Sequence, residues 1–169
     1  YLASVTDRMG VTTTYTYDGK GNLLSEKRQD GAVRSYTYND KNQVTSVTEY
    51  DGGVTTYTYN DKGLLTKVTD SEKNTVSYTY DAQNRLVAET DAKGTTTKYT
   101  YDGANIISMT DGAGKVWKYT YDAMNRMLTT TDPKGQVWKN TYDAQGRCIA
   151  ETDTAGGVTL YTFDKAGAV

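Results

Sequence analysis

The sequence predicts an all-β protein, a repetitive antiparallel meander of β-hairpins, and three observations carry that expectation. The first is composition. Leu, Ile, Val and Phe number 25 of 169 residues, about 15% and under the roughly 20% expected of a well-stocked core. Opposite charges nearly cancel at a net −2, and the missing aliphatics are replaced by 16 Tyr and 30 Thr, residues that suit a pleated, half-buried surface. The second is periodicity. Tyr17-Asp18, Tyr38-Asn39, Tyr59-Asn60, Tyr80-Asp81, Tyr101-Asp102, Tyr121-Asp122, Tyr142-Asp143 and Phe163-Asp164 recur every 21 residues, with one interval of 20, which marks an array of stacked units. The third is turn chemistry: each unit holds two turn segments, most of them of the form Asx-x-x-Gly/Asn, the residues of hairpin loops. A helical bundle, a membrane-spanning helix and a disordered tail are all excluded by this combination.

Numbering each unit from its Asx as position 1 places the elements. Position 4 is Gly21, Asn42, Gly63, Asn84, Asn105, Asn125, Gly146 and Gly167, the residue types that tolerate positive φ. Position 6 is a stripe without charge: Leu23, Val44, Leu65, Leu86, Ile106, Met127 and Cys148. Position 14 is Gly in every unit except at Lys73, and position 20 is always Thr. Two runs per unit give about 16 strands of roughly seven residues, about 23 Å each. One run ends in Tyr-Thr-Tyr; the other resembles Arg85-Leu86-Val87-Ala88-Glu89-Thr90.

Register follows from parity, because side chains alternate faces along a strand. An odd repeat keeps its faces if its two turns differ in length. A three-residue loop at positions 2–4 then pairs Tyr80 with Leu86, and a four-residue loop at 11–14 pairs position 10 with 15. In the 20-residue unit, Tyr101 and Ile106 flank a four-residue loop, Asp102-Gly103-Ala104-Asn105. Positions 17, 19 and 21 are thereby expected to share a buried Tyr/Leu face with 6, 8 and 10. The Thr column, position 7 (Val87, Ile107, Leu128, Ile149) and charges such as Glu89 and Lys98 fall on the other.

Function classes are narrowed by absence. With no His in the chain, imidazole catalysis, Ser-His-Asp and Cys-His nucleophiles and His-ligated metals are excluded. The single Cys148 forms no internal disulfide and no Cys-rich metal site. No two of the 21 acids are singled out as a glycosidase pair, so the chain is expected not to be an enzyme and to need no cofactor or metal. The recurring rim of Asp81, Asp102, Asp122 and Asp143 is expected to bond its own turn backbone, as Asn39 and Asn60 do without charge, instead of holding Ca²⁺. A sequence pI near 5.2 without Lys/Arg clusters argues against nucleic acid. The opening Tyr1-Leu2-Ala3 carries no initiator Met and no signal segment, and reads as a piece of a longer protein.

The pattern Gly-x-x-x-x-Tyr-x-Tyr-Asp-x-x-Gly-x-Leu, as at Gly52…Tyr57-Thr58-Tyr59-Asn60-Asp61-Lys62-Gly63-Leu64-Leu65, resembles the YD repeat of RHS proteins. That family comprises bacterial RHS polymorphic toxins, wall-associated proteins, insecticidal toxin complex B and C components, and teneurins. The resemblance covers residues 1–169 as a single array of about eight repeats, truncated at both ends. It implies a twisted spiral sheet forming part of a β-shell or barrel. It further implies a structural segment of a secreted or surface-exposed protein that encapsulates or displays a toxin payload. The expected partners are the rest of the parent RHS protein and its enclosed C-terminal toxin domain. Asp132-Pro133-Lys134-Gly135 only superficially resembles the family's Asp-Pro-x-Gly-Leu autocleavage region, since it forms a repeat's second turn, and no cleavage is expected there.

The family's link to carbohydrates supplies the alternative, a surface module for glycans or a receptor that uses aromatic rings. Trp117 and Trp138 occupy position 17 in consecutive units beside Lys115, Lys118 and Lys139, a ring platform if open and larger members of the buried face otherwise. Tyr50, in a second turn, is the ring expected to be exposed. Uncapped edge strands also predict end-to-end self-association.

Overall fold

The computed structural model describes residues 1–163; the Asp164 and Gly167 positions of the last repeat lie outside them. Among the described residues all regular structure is β: sixteen strands of three to seven residues, mostly five or six and shorter than the seven expected. Strand order is chain order and neighbours run antiparallel.

The chain resolves into two compact units, Tyr1–Arg85 with Glu89–Gly94, and Leu86–Ala88 with Thr95 onward. The first holds β1 (Ser4–Thr6), β2 (Thr12–Tyr17), β3 (Leu23–Lys27), β4 (Val33–Tyr38), β5 (Val44–Thr48), β6 (Val54–Tyr59), β7 (Leu65–Thr69) and β8 (Thr75–Tyr80). Strand β9 (Leu86–Thr90) divides between the two. The second holds β10 (Thr96–Asp102), β11 (Asn105–Thr110), β12 (Val116–Tyr121), β13 (Met127–Thr131), β14 (Val137–Tyr142), β15 (Cys148–Thr152) and β16 (Val158–Leu160).

The first turn of each repeat, the A turn, behaves as its sequence requires. In the β2–β3 hairpin Asp18 N donates to Asn22 O, Gly21 N donates to Asp18 O, and Tyr17 pairs with Leu23. The second turn, the B turn, departs from expectation. It closes in the same way, with Asp70 N donating to Asn74 O and Lys73 N to Asp70 O. It is therefore also a three-residue loop, and position 10 pairs with 16, as in Thr69 with Thr75.

Two like turns leave the parity of 21 unresolved, and a β-bulge resolves it. The register shifts at the same place in each described Tyr-ended hairpin: Tyr59 pairs with Leu65, but Thr58 pairs with Lys67, leaving Thr66 unpaired. Leu24, Thr45, Ile107, Leu128 and Ile149 take that extra place in the other described ladders. Inserting one residue between 6 and 8 resets the alternation, so position 9, and not 8 and 10, joins the Tyr face. The expectation that placed position 9 (Glu89) opposite is corrected at Glu26 and Glu151, which pair with Tyr15 and Asn140. Positions 8 and 10 instead lie with the Thr column, where Thr16 bonds Ser25 at 2.6 Å and Thr120 bonds Thr129 at 2.6 Å.

The 20-residue unit keeps its bulge and shortens its A turn. Asp102 pairs with Asn105, so the loop is Gly103-Ala104 alone, and positive φ moves from position 4 to Gly103 at 55°. The Tyr101–Ile106 pair survives, as expected. Lys73, the departure from Gly, still adopts φ 71°, where an L side chain costs about 1–2 kcal/mol.

Packing matches the low aliphatic count. Val47, on the Tyr face opposite Tyr36, is the one apolar residue classed as buried among the described residues, at 7% exposure. Most of the rest of the Tyr face is half-buried, with exposed members such as Trp138 and Glu151. Cohesion comes instead from a recurring bond: the position-21 phenol donates to the position-6 carbonyl 15 residues earlier. The six are Tyr38 to Leu23, Tyr59 to Val44, Tyr80 to Leu65, Tyr101 to Leu86, Tyr121 to Ile106 and Tyr142 to Met127, at 2.7–3.0 Å. Each closes the strand pair at its A end, beyond the last ladder pair of the neighbouring hairpin.

Candidate functional site

The A-turn rim is structural chemistry. Asp81 Oδ1 accepts from Gln83 N and Arg85 N, both at 2.9 Å, and its Oδ2 accepts from Arg85 Nε at 2.7 Å. Asp122 and Asp143 repeat this with Arg126 and Arg147. The Arg85 and Arg126 amides, with lesser help from their guanidinium groups, hold the Asp81 and Asp122 carboxyls below the usual value. Successive A turns are also stapled to each other: Lys41 to Asp61 O, Gln43 to Gly63 O, Lys62 to Ala82 O and Arg126 to Asp143 O. Among the described residues no group of three or more His, Cys, Asp or Glu is placed to hold a metal.

The B end of the Tyr face is where side chains depart from the repeat. In the first unit, Arg28 and Glu49 replace the Asp that usually starts the B turn. The turn acid is displaced to Asp30 and Asp51, which accept from Ala32 N and Gly53 N at 2.9 Å. Arg28 and Glu49 thereby join a cluster about Glu26. Tyr36 donates to Glu26 Oε1 at 2.7 Å and Tyr50 to Oε2 at 2.9 Å. Arg34 bridges Glu49 at 2.9 Å, and the Arg28 guanidinium lies 3.7 Å from the Tyr50 ring centroid. The Tyr36 bond leads in depressing the Glu26 carboxyl, while burial first and then Glu26 push the Tyr36 phenol up to about 12. Tyr50 is thus half-buried in a network, not the exposed ring its turn position suggested. Register caused the miss, since Glu26 reaches this face only through the bulge.

In the second unit the same lattice positions carry aromatics. Trp117 pairs with Met109 and Trp138 with Thr130. They share the Tyr face one repeat apart, which is about 12 Å for a displacement of two strands and two residues. Trp117 is half-buried, whereas Trp138 is 42% exposed. An open cleft of about 150 Å³ beside Trp138 is also lined by Asn140 and Glu151. Asn140 stands where other repeats have Tyr, and its Nδ2 donates to Met127 O at 3.2 Å. Cys148 is half-buried and forms no disulfide, and its Sγ donates to Ala150 O at 3.5 Å.

This geometry defines a class: a hairpin-repeat protein whose strands are held by tyrosine bonds and Asx turns, with variable side chains at one end. The RHS repeat family profile matches residues 2–33, 17–49, 38–75, 59–96, 80–105, 101–137 and 142–169. The chain belongs to the RHS repeat family. No curated protein matches it at the sequence level. Among solved structures, it is similar in fold to the Tc holotoxin pore of Photorhabdus luminescens carrying a TccC3 D651A mutation. That likeness has a TM-score of 0.70 at 18% identity over 90% of this chain and 10% of the other. It is also similar to a TcdB2-TccC3-Cdc42 complex, with a TM-score of 0.70 at 15% identity over 84% of this chain and 9% of the other. The chain spans about one-tenth of the length of these relatives.

Proposed function

We propose that this chain is a non-catalytic wall segment of a secreted or surface-exposed RHS-type protein, contributing to a β-shell that encloses or displays a toxin payload. The observation that carries this reading is a sheet with almost no buried core, in which Val47 is the one buried apolar residue among those described. Such a sheet suits a wall and not a compact globule. The fold likeness to Tc toxin components supports it, and the partners are then the rest of the parent chain and its C-terminal toxin domain. Limited proteolysis of the full-length parent tests the proposal. Protection of a downstream domain, lost when two adjacent repeats are excised, is expected; equal digestion with and without the repeats overturns it.

The second reading is a glycan-binding surface, favoured by the exposed Trp138 ring beside the amide of Asn140. A glycan array on the chain and on Trp117→Ala and Trp138→Ala tests it. Specific binding lost in both variants supports the reading, and an array without specific binding removes it.

A further inference from the structure

Glu26 in β3 and Glu151 in β15 hold the same lattice position, 9, on the Tyr faces of the first and second units. Each accepts a phenol from the same place in the strand that follows: Tyr36 donates to Glu26 at 2.7 Å and Tyr161 to Glu151 at 3.0 Å. Their cationic neighbours differ. Glu26 pairs across the β3–β4 ladder with Arg34, and Arg28 stands two residues further on. The Tyr36 bond leads in holding the Glu26 carboxyl low, and the charges of Arg34 and Arg28 add to it. In the matching places Glu151 has Thr159 across the β15–β16 ladder and Asp153 two residues on. The second unit contains only Arg126 and Arg147 as arginines, and both are ion-paired in A turns, with Asp122 and Asp143. Glu151 is therefore an exposed carboxylate without an ion pair among the described residues.

Where the first unit places its arginines, the second has the open cleft of about 150 Å³, lined by Trp138, Asn140, Glu151, Asp153, Gly157 and Thr159 among others. Trp138 is diagonal to Glu151 across β14 and β15, about 7–8 Å away. Asp153 commits Oδ1 to Ala155 N and Gly157 N at 2.9 and 2.7 Å. Its Oδ2 lies over Gly157, 2.6 Å from where a Cβ would stand, so glycine makes room for the carboxylate. An exposed indole and two carboxylates are the partners of a planar cation: a guanidinium stacks on the ring while its N–H fork meets the oxygens. The chain makes such ring contacts within itself, with Arg28 3.7 Å from the Tyr50 centroid and Arg126 4.8 Å from that of Tyr142.

We propose that this cleft binds a guanidinium group, the arginine side chain of an extended partner polypeptide. It supplies to Glu151 from outside the cation that Arg34 and Arg28 supply to Glu26 from within. A peptide side chain is selected because free arginine brings its own carboxylate against Glu151 and Asp153. The proposal does not depend on the shell reading. It shares Trp138 with the glycan reading, and the carboxylates separate the two, since a neutral sugar gains no ion pair from Glu151.

Titration with Nα-acetyl-arginine amide, followed by nuclear magnetic resonance, tests it. The Trp138 indole and Glu151 amide signals are expected to move while the Trp117 indole signal stays. Tighter binding is expected for this probe than for the matching lysine amide, the neutral citrulline amide, or free arginine. Glu151→Gln is expected to weaken binding about tenfold or more, as a charged hydrogen-bond acceptor is lost. Glu72→Gln, which removes the same charge from the exposed β7–β8 turn, is expected to retain it. Thr159→Arg places a guanidinium where Arg34 stands in the first unit and is expected to block the probe with Trp138 and Glu151 both intact. No movement of the Trp138 signal, equal binding of any of the three comparison probes, or unchanged affinity in Glu151→Gln or Thr159→Arg overturns the proposal. Tighter binding of maltotriose than of the arginine amide also overturns it, in favour of the glycan reading.

Discussion

Glu26 and Arg34 in the first unit occupy the same two lattice positions that Met109 and Trp117, then Thr130 and Trp138, occupy in the second. One region is a neutralised network of two carboxylates, two guanidinium groups and two phenols; the other is aromatic and partly open. Turns, bulge and tyrosine bonds are alike in both. The difference teaches that the backbone lattice is maintained by positions 1, 4, 6, 20 and 21. Positions 9, 11, 12 and 17 are thereby left to vary, and chemistry particular to this chain is written at the B end.

The largest expected effect breaks the polar region. Glu26→Ala leaves two phenols without their charged acceptor and is expected to cost about 2–3 kcal/mol in urea unfolding. A cost below half of that would show the network to be ornamental to stability. In the aromatic region Trp117→Ala is expected to cost about 2 kcal/mol and the more exposed Trp138→Ala about 1 kcal/mol, in proportion to area lost. The reverse order would contradict the burial difference. Lys73→Gly tests the shared lattice and not the variable sites. It is expected to raise stability by about 1 kcal/mol by relieving a left-handed residue, and no gain would mean that the Lys73 turn is held for another reason.

The subtlest contrast is pH dependence. The Tyr36 phenol is raised in the fold, so its contribution is complete below the unfolded tyrosine value near 10 and declines as pH climbs toward about 12. Thermal melts of the wild type and Tyr36→Phe are expected to diverge less at pH 11.5 than at pH 8. The Glu26 carboxyl is depressed, so its contribution is full above the unfolded glutamate value, about 4.3. It is lost as pH falls through the native value. Melting temperatures that show no such dependence on Tyr36 or Glu26 would weaken the network account.

Much of the lattice was legible because it is local. Gly and Asn at position 4 announce a left-handed turn residue, and the pairing of positions 21 and 6, seen at Tyr59 and Leu65, follows from counting across one loop. Other features depend on register accumulated over the repeat. Thr66 and Ile107 look like ordinary strand residues, so the bulge was invisible and the required parity change was assigned to the B turn. Placing Glu26 among Tyr36 and Tyr50, and Glu151 away from Lys139, needed that bulge. Trp117 and Trp138 were found as a pair, but their unequal exposure is a property of neighbours.

The central claim is that the bulge, and not unequal turns, sets the faces. Deletion of Thr66 tests it directly, read as the contact between the Tyr57 ring and Val68, which pair across β6 and β7. With a bulge, deletion leaves a regular ladder in which Val68 stays on the Tyr face, so Tyr57–Val68 nuclear Overhauser contacts and amide protection of β7 are expected to persist. Their loss, with Val68 turned to the Thr face, would contradict the account.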